Sequence, residues 1–153
     1  MDNIQKPVFA AKTVLVLIVV FAVLGAIDAS YLTYMSYREL PLPCTIFEGC
    51  NEVAGSPYSK VFGVPLSLFG VLFYVLVAAV SAAYLVLRRE FLRGLILPLA
   101  SVGFLLSVYF TYLQAFKIGA FCIYCIFSAA MSTLIFVFAF YAKKPEIAEQ
   151  PSL

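Results

Sequence analysis

Hydrophobic positions in this chain form long uninterrupted stretches instead of alternating with polar positions. Four such stretches, residues 13–37, 64–87, 94–116 and 118–142, are each 23 to 25 residues long. A helix needs about 20 apolar residues to cross about 30 Å of hydrocarbon, whereas a strand of a membrane barrel alternates in polarity over about ten residues. The pattern predicts an all-α, polytopic membrane protein. We expect a four-helix transmembrane bundle with a long outer loop between helices 1 and 2.

Small residues recur at intervals of four within these stretches, as in Gly25/Ala29 and Ala78/Ala82. This spacing places small side chains on one helix face, where they let helix backbones approach closely inside a bilayer. The repeats therefore favour a tightly packed bundle.

The composition narrows the range of possible functions. Of the 153 residues, 64% are hydrophobic and 12% are charged, whereas soluble domains carry about 25% charged residues. A net charge of +2 does not indicate a nucleic-acid partner. The chain contains no His, which excludes Ser–His–Asp and Cys–His catalysis and every His-containing metal site. Four cysteines remain as the groups with nucleophilic or redox potential.

The distribution of Lys and Arg predicts the orientation. Seven of them flank the two termini and the 88–93 turn, and three flank the opposite side, which holds the 38–63 loop. By the positive-inside rule, both termini are cytoplasmic and the protein is a multi-pass protein of the cell membrane with its cysteines on the extracytoplasmic face. An inverted topology, with cytoplasmic cysteines, is the alternative. Lys6 and Lys12 precede an apolar run as in a signal peptide, although that run is too long for one.

The four cysteines all fall near the same predicted membrane face. Cys44 and Cys50 lie in the outer loop, and Cys122 and Cys125 lie at the outer start of the fourth span. One interpretation is a pair of structural disulfides. The other is a redox relay, because a Cys-x-x-Cys at a helix N-terminus has a lowered thiol pKa and presents both sulfurs on one helix face. A Cys₄ zinc site is disfavoured by the five residues between Cys44 and Cys50, so we predict no metal.

Asp28 is the only Asp, Glu, Lys or Arg inside any of the four stretches. Burying a carboxylate at the centre of a membrane helix costs at least ~2.5–3.5 kcal/mol, so the side chain should face the bundle interior or water. Two roles are open. Asp28 is either a proton donor or polar anchor in a cavity, or a packing residue that is hydrogen-bonded to Ser30 or Thr33.

Several features occur together in a characteristic order. They are Cys44 and Cys50 in the loop, Ser56, the motif Ser67-Leu68-Phe69-Gly70 opening the second span, and Cys122 and Cys125 opening the fourth. This arrangement resembles the vitamin K epoxide reductase family, including its disulfide-forming bacterial and archaeal members. The resemblance extends from about Leu24 to Ala142.

The resemblance implies a four-helix bundle around a quinone of the ubiquinone, menaquinone or vitamin K type. It also implies the roles of the site residues. Cys44 would exchange with a thioredoxin-like (DsbA-like) partner, Cys50 would pass electrons to Cys122, and Cys125 would reduce the quinone. Ser56 would belong to the loop region near the quinone. Asp28, in the first span, is a further candidate for cofactor binding on the grounds given above.

The chain departs from the family pattern at two positions that bear on the reaction. Vertebrate members carry a Tyr four residues after the Cys-x-x-Cys and an Asn just before the Ser-x-Phe-Gly motif, and here these positions are Ala129 and Leu66. The departures favour quinone reduction coupled to disulfide formation over epoxide reduction. The chain runs eleven residues past Ala142, so we expect a single transmembrane domain, no fused thioredoxin-like domain, and a partner that acts in trans.

Two alternatives to that function stay open at this point. One is a vitamin K epoxide reductase proper, and the other is a non-catalytic four-helix membrane protein with structural disulfides. The sequence also leaves open whether the resting disulfide joins Cys44 to Cys50 or Cys50 to Cys122.

Overall fold

The computed structural model describes residues 5–44 and 49–143, and the side chains of 12–44 and 49–142. Lys6, Lys143 and Lys144, which contribute to the charge count, therefore have no described side chain. The elements in chain order are α1 (Gln5–Arg38), α2 (Cys50–Gly55), a 3₁₀ turn (Pro57–Ser59), β1 (Lys60–Val61), β2 (Val64–Pro65), α3 (Leu66–Leu87), α4 (Glu90–Leu113), a π turn (Gln114–Ile118) and α5 (Ile123–Lys143).

The predicted all-α bundle is confirmed. Four segments are long and apolar enough to cross a membrane, namely Lys12–Arg38, Leu66–Leu87, Glu90–Ile118 and Ile123–Ala142. Around the bundle, α1 packs against α3 and α5, and α4 packs against the same two helices. Large apolar side chains such as Leu72 and Leu105 point outward, as a lipid environment requires.

The helix limits differ from the sequence prediction where an apolar run carries no boundary signal. α4 begins at Glu90 instead of residue 94, because the acidic Glu90 suits the positive end of the helix dipole. The predicted helix 118–142 begins only at Ile123, since Gly119 adopts a left-handed conformation (φ +72°) after the π turn and the chain runs without helix to residue 122.

Both cysteine pairs lie at one end of the bundle, which we call the cysteine end. It comprises residues 39–44 and 49–65 and the connection from Gln114 to Cys122. The Arg88–Arg89 turn between α3 and α4 lies at the opposite end.

A small hairpin closes the loop of the cysteine end onto α3. β1 and β2 are antiparallel, with Lys60 opposite Pro65 and Val61 opposite Val64. Phe62 (φ +50°) and Gly63 (φ +81°) form the two-residue turn, and positive φ at both positions is typical of a tight hairpin.

One tyrosine of α3 contacts both α1 and α5 in the core. Tyr74 of α3 is buried, and its hydroxyl donates a hydrogen bond to the Ser128 carbonyl of α5 at 2.7 Å. Its ring lies against Gly25 of α1, where an added Cβ would be 2.5 Å from the ring carbons. The predicted close approach at Gly25 is therefore made to an aromatic ring.

We expect Gly25→Ala to destabilise the bundle, because the new methyl group would collide with the Tyr74 ring. Overpacking of this kind costs about 1–3 kcal/mol. Gly94→Ala is the matched control, since Gly94 is also a helical glycine but has open space around it. That substitution should be neutral or stabilising by about 1 kcal/mol. The melting temperatures of both variants in detergent test this, and equal stability would contradict the packing described.

Candidate active site

A disulfide joins Cys44 and Cys50 in the loop of the cysteine end, with their Cα atoms 6.3 Å apart. Cys50 begins α2 and is fully buried, whereas Cys44 is half-buried. The Asn51 side chain fixes this pair, because its Oδ1 accepts the Leu42 N–H at 2.8 Å and its Nδ2 donates to the Leu42 carbonyl at 3.4 Å. The chain segments before Cys44 and after Cys50 are thus held together.

The loop packs on the segment before Cys122 through a glycine. A Cβ at Gly49 would lie 2.7 Å from the Cβ of Ala120 and 2.9 Å from the backbone nitrogen of Phe121. Only a residue without a side chain fits this close approach. The contact places Cys50 beside Cys122, and the two cysteines belong to one buried cluster.

Cys122 stands at the N-terminal cap of α5. Its carbonyl accepts the Ile126 N–H at 3.0 Å, while its own N–H donates to Oε1 of Gln114 at 3.1 Å. Gln114 is buried and lies in the π turn that ends α4, so this turn positions the start of α5.

The position of Cys122 stabilises its thiolate. A hydrogen bond from the Cys125 thiol, helped by the backbone N–H groups of Cys125 and Tyr124, lowers the pKa of Cys122 to about 6, although burial acts in the opposite direction. Free amides at a helix N-terminus favour the anion in this way. The lowered pKa favours the thiolate at the Cys122 sulfur, and both Cys122 and Cys125 are free of disulfides.

Tyr124 links the loop to α5 from the other side. Its hydroxyl donates to the Pro43 carbonyl at 3.1 Å, and its ring lies 5.4 Å from the ring of Tyr31 on α1. The loop disulfide is thus held against the start of α5 at both Gly49 and Pro43.

A large cavity opens beside the dithiol and extends between the helices. Its volume is about 630 Å³, and its lining includes Cys50, Cys122 and Cys125. Leu66 and Ala129, the two positions that depart from the vertebrate pattern, also line it.

Ser56 and Asp28 are the other two predicted site residues, and only Ser56 lines the cavity. The Ser56 hydroxyl caps α2 by donating to the Val53 carbonyl at 2.7 Å. The Asp28 carboxylate interacts electrostatically with both Cys122 and Cys125, and Oδ2 is buried without a hydrogen-bond partner.

The hydrogen bond predicted as one option between Asp28 and Thr33 does not form, because Thr33 has other partners. The Thr33 hydroxyl instead lies 2.7 Å from the Ala29 carbonyl oxygen and 2.9 Å from the Ser67 hydroxyl. Within residues 12–44 and 49–142, no three His, Cys, Asp or Glu side chains are grouped so that they could hold a metal ion.

Three residues that position the cysteines were not identified from sequence. Gln114 offered a signal, because it is a polar residue near the end of an apolar span. Gly49 and Asn51 flank Cys50 directly. The partner of Gly49 is about 70 residues away, and Asn51 bonds to a residue nine positions earlier, so neither role is visible in the local sequence.

Comparison with known proteins agrees with this geometry. The model of the vitamin K epoxide reductase family matches residues 16–140. The chain is also similar to the thiol-disulfide oxidoreductase LTO1 of Arabidopsis thaliana, with 34% identity over 122 residues that cover 72% of this chain and 31% of the relative. The chain thus matches about a third of the length of that relative. The family match, over residues 16–140, reaches all four membrane helices and includes both cysteine pairs, and the chain belongs to the vitamin K epoxide reductase family.

Proposed function

We propose that this protein is a membrane thiol oxidase that passes electrons from a thioredoxin-like protein to a quinone and so supports disulfide formation. The observation that carries the proposal is the packing of the Cys44–Cys50 disulfide on Cys122, next to a cavity that Cys125 lines. The similarity to a protein named as a thiol-disulfide oxidoreductase supports the same chemistry.

The exposure of the loop sulfurs favours Cys44 as the partner's target. A donor thiolate attacks Cys44 Sγ, since Cys44 is the accessible sulfur, and Cys50 leaves as a thiolate. The second donor thiol then resolves the mixed disulfide. The donor is thereby oxidised, and Cys44 and Cys50 are reduced by two electrons.

The next exchange moves the electron pair inward. The Cys50 thiolate attacks Cys122 of an oxidised Cys122–Cys125 pair and Cys125 leaves. Cys44 then attacks Cys50, and Cys122 leaves. The low pKa of Cys122 favours this last step, because a thiol of lower pKa is a better leaving group. The products are a loop disulfide and a Cys122/Cys125 dithiol, the state that the structure describes.

The cavity fits a quinone in size and chemistry. Pockets for small molecules usually measure about 300–1,000 Å³ and are mostly apolar with a few polar groups, as this one is. A bound quinone would accept two electrons and two protons. The residues that would hold it include Cys125, Phe69 and Ser56.

Apolar side chains at two positions argue against epoxide chemistry. Leu66 and Ala129 face the cavity where vertebrate relatives carry Asn and Tyr, so neither can donate a hydrogen bond to an epoxide oxygen. We therefore favour quinone reduction over vitamin K epoxide reduction.

Asp28 is suited to supply, by way of the Cys122 thiolate, the second proton that a bound quinone would take up. Oxidation of a Cys122 thiolate and a Cys125 thiol releases two electrons but only one proton, so the second proton must come from another group. Asp28 has an unpartnered buried carboxylate oxygen within electrostatic range of both sulfurs. Because it does not line the cavity, we assign it proton transfer and not contact with the quinone.

The orientation and the partner complete the proposal. With the termini in the cytoplasm, the cysteine end faces the extracytoplasmic side, where disulfides persist. The Cys44 sulfur would there meet a thioredoxin-like (DsbA-like) protein.

The proposal predicts that the purified chain, given a reduced thioredoxin-like donor, reduces duroquinone, a quinone whose ring carbons are all substituted. Cys125→Ala should abolish this reduction, because the sulfur beside the cavity is lost. The variant should still oxidise one donor dithiol per chain through its loop disulfide. Quinone absorbance and donor thiol titration measure the two steps. Steady quinone reduction by Cys125→Ala, or none by the unaltered chain, would contradict the proposal.

Asp28→Asn should slow steady turnover about a hundredfold, within the range of losses seen when a proton-transfer group is removed. The amide is nearly isosteric with the carboxyl group but cannot donate a carboxylic proton. Oxidation of the first donor dithiol by the loop should keep its rate and serves as the internal control. Unchanged turnover would rule out proton transfer by Asp28.

A further inference from the structure

Two buried serine hydroxyls on the membrane helices lack the hydrogen bond to their own helix that four other hydroxyl side chains make. Thr33, Ser101, Thr111 and Thr133 each donate to the carbonyl four residues earlier, at distances of 2.7 to 2.8 Å. Ser81 and Ser132 are almost fully buried, at 0% and 2% exposure, and their hydroxyls have no partner in the described part of the chain. An unsatisfied buried hydroxyl costs about 1–3 kcal/mol, so each of the two needs an explanation.

The carbonyl that would normally accept from Ser132 is already engaged. This carbonyl belongs to Ser128, and it accepts the Tyr74 hydroxyl at 2.7 Å. The Ser128 hydroxyl lies 2.8 Å from the same Tyr74 oxygen. Tyr74 thus occupies the local acceptor and leaves the Ser132 hydroxyl available to another partner.

Ser132 lines the cavity beside the dithiol, whereas Ser81 does not. Cys125, Ala129 and Ser132 also line this cavity and follow one face of α5. A rise of 1.5 Å per residue places Ser132 about 10 Å beyond Cys125 along the helix. A van der Waals contact, one quinone ring and a hydrogen bond of about 2.8 Å together span roughly that distance.

We propose that Ser132 donates a hydrogen bond to the quinone oxygen that lies farther from the Cys122/Cys125 dithiol. The inference rests on the proposed function, since it assumes that the cavity receives a quinone. It also identifies a residue that would determine which ligands the cavity accepts. A flat ring held between Cys125 and Ser132 must carry an oxygen on the side opposite the sulfur, which a para-quinone does and a simple aromatic hydrocarbon does not.

The test compares two ligands of the same shape on the full chain in detergent. Duroquinone carries two ring oxygens, and durene is the hydrocarbon with the same four methyl groups and no oxygen. Binding is measured from the rise in melting temperature with ligand concentration. Ser132→Ala should weaken duroquinone binding between about threefold and about tenfold, the loss expected for one neutral hydrogen bond. Its affinity for durene should not change.

Ser81→Ala is the matched control, because it removes a second buried, unpartnered serine hydroxyl outside the cavity. It should bind both ligands as the unaltered chain does. Neither substitution should lower the melting temperature without ligand, since each removes an unsatisfied polar atom.

The outcomes separate the two hypotheses. If the unaltered chain binds duroquinone and Ser132→Ala binds it equally well, the assignment of Ser132 is overturned and the proposed function stands. If Ser132→Ala loses duroquinone and durene to the same extent, Ser132 only shapes the cavity and the assignment is again overturned. If the unaltered chain does not bind duroquinone, the quinone site and the assignment fail together.

Discussion

The arrangement of the cysteines depends on one close contact, the packing of Gly49 on Ala120 and Phe121. The loop and the fourth span are far apart in sequence, and no side chain could be placed between them at that distance. Because the contact lies one residue before Cys50 and one to two residues before Cys122, it brings Cys50 beside Cys122. Asn51 and Tyr124 fix the remaining freedom of the loop through hydrogen bonds to Leu42 and Pro43.

A charged group is energetically unfavourable inside a bilayer. The fold reduces this penalty by placing the reactive cysteine at a helix end. The cysteine that becomes a thiolate lies just before α5, where backbone amides and the Cys125 thiol are available as donors. Cys125 lies in the first turn, next to an apolar cavity. In the proposed mechanism the dithiol joins the loop, where thiols would exchange, to this apolar cavity, where a lipid-soluble oxidant would bind.

The spans could be predicted because hydropathy and length determine which helices can cross a membrane. The shared location of the four cysteines followed from their positions relative to those spans. The start of α5 could not be predicted, since residues 118–142 carry no charge and the left-handed Gly119 is what interrupts the helix. The bonds that Gln114 makes to Cys122 and Tyr74 makes to Ser128 join residues 8 and 54 positions apart. Pairings of this kind arise from tertiary packing, which one sequence does not reveal.

The most direct measurement is disulfide mapping by mass spectrometry in a chain that carries Cys44→Ala and Cys125→Ala. With only Cys50 and Cys122 left, mild oxidation should join them within one chain, and rapidly, because the loop holds the two sulfurs together. Adding Gly49→Ala should slow the reaction, whereas adding Gly55→Ala, a position with open space, should not. Sulfurs that stay reduced, or that pair only between chains, would contradict direct electron transfer from the loop to the dithiol.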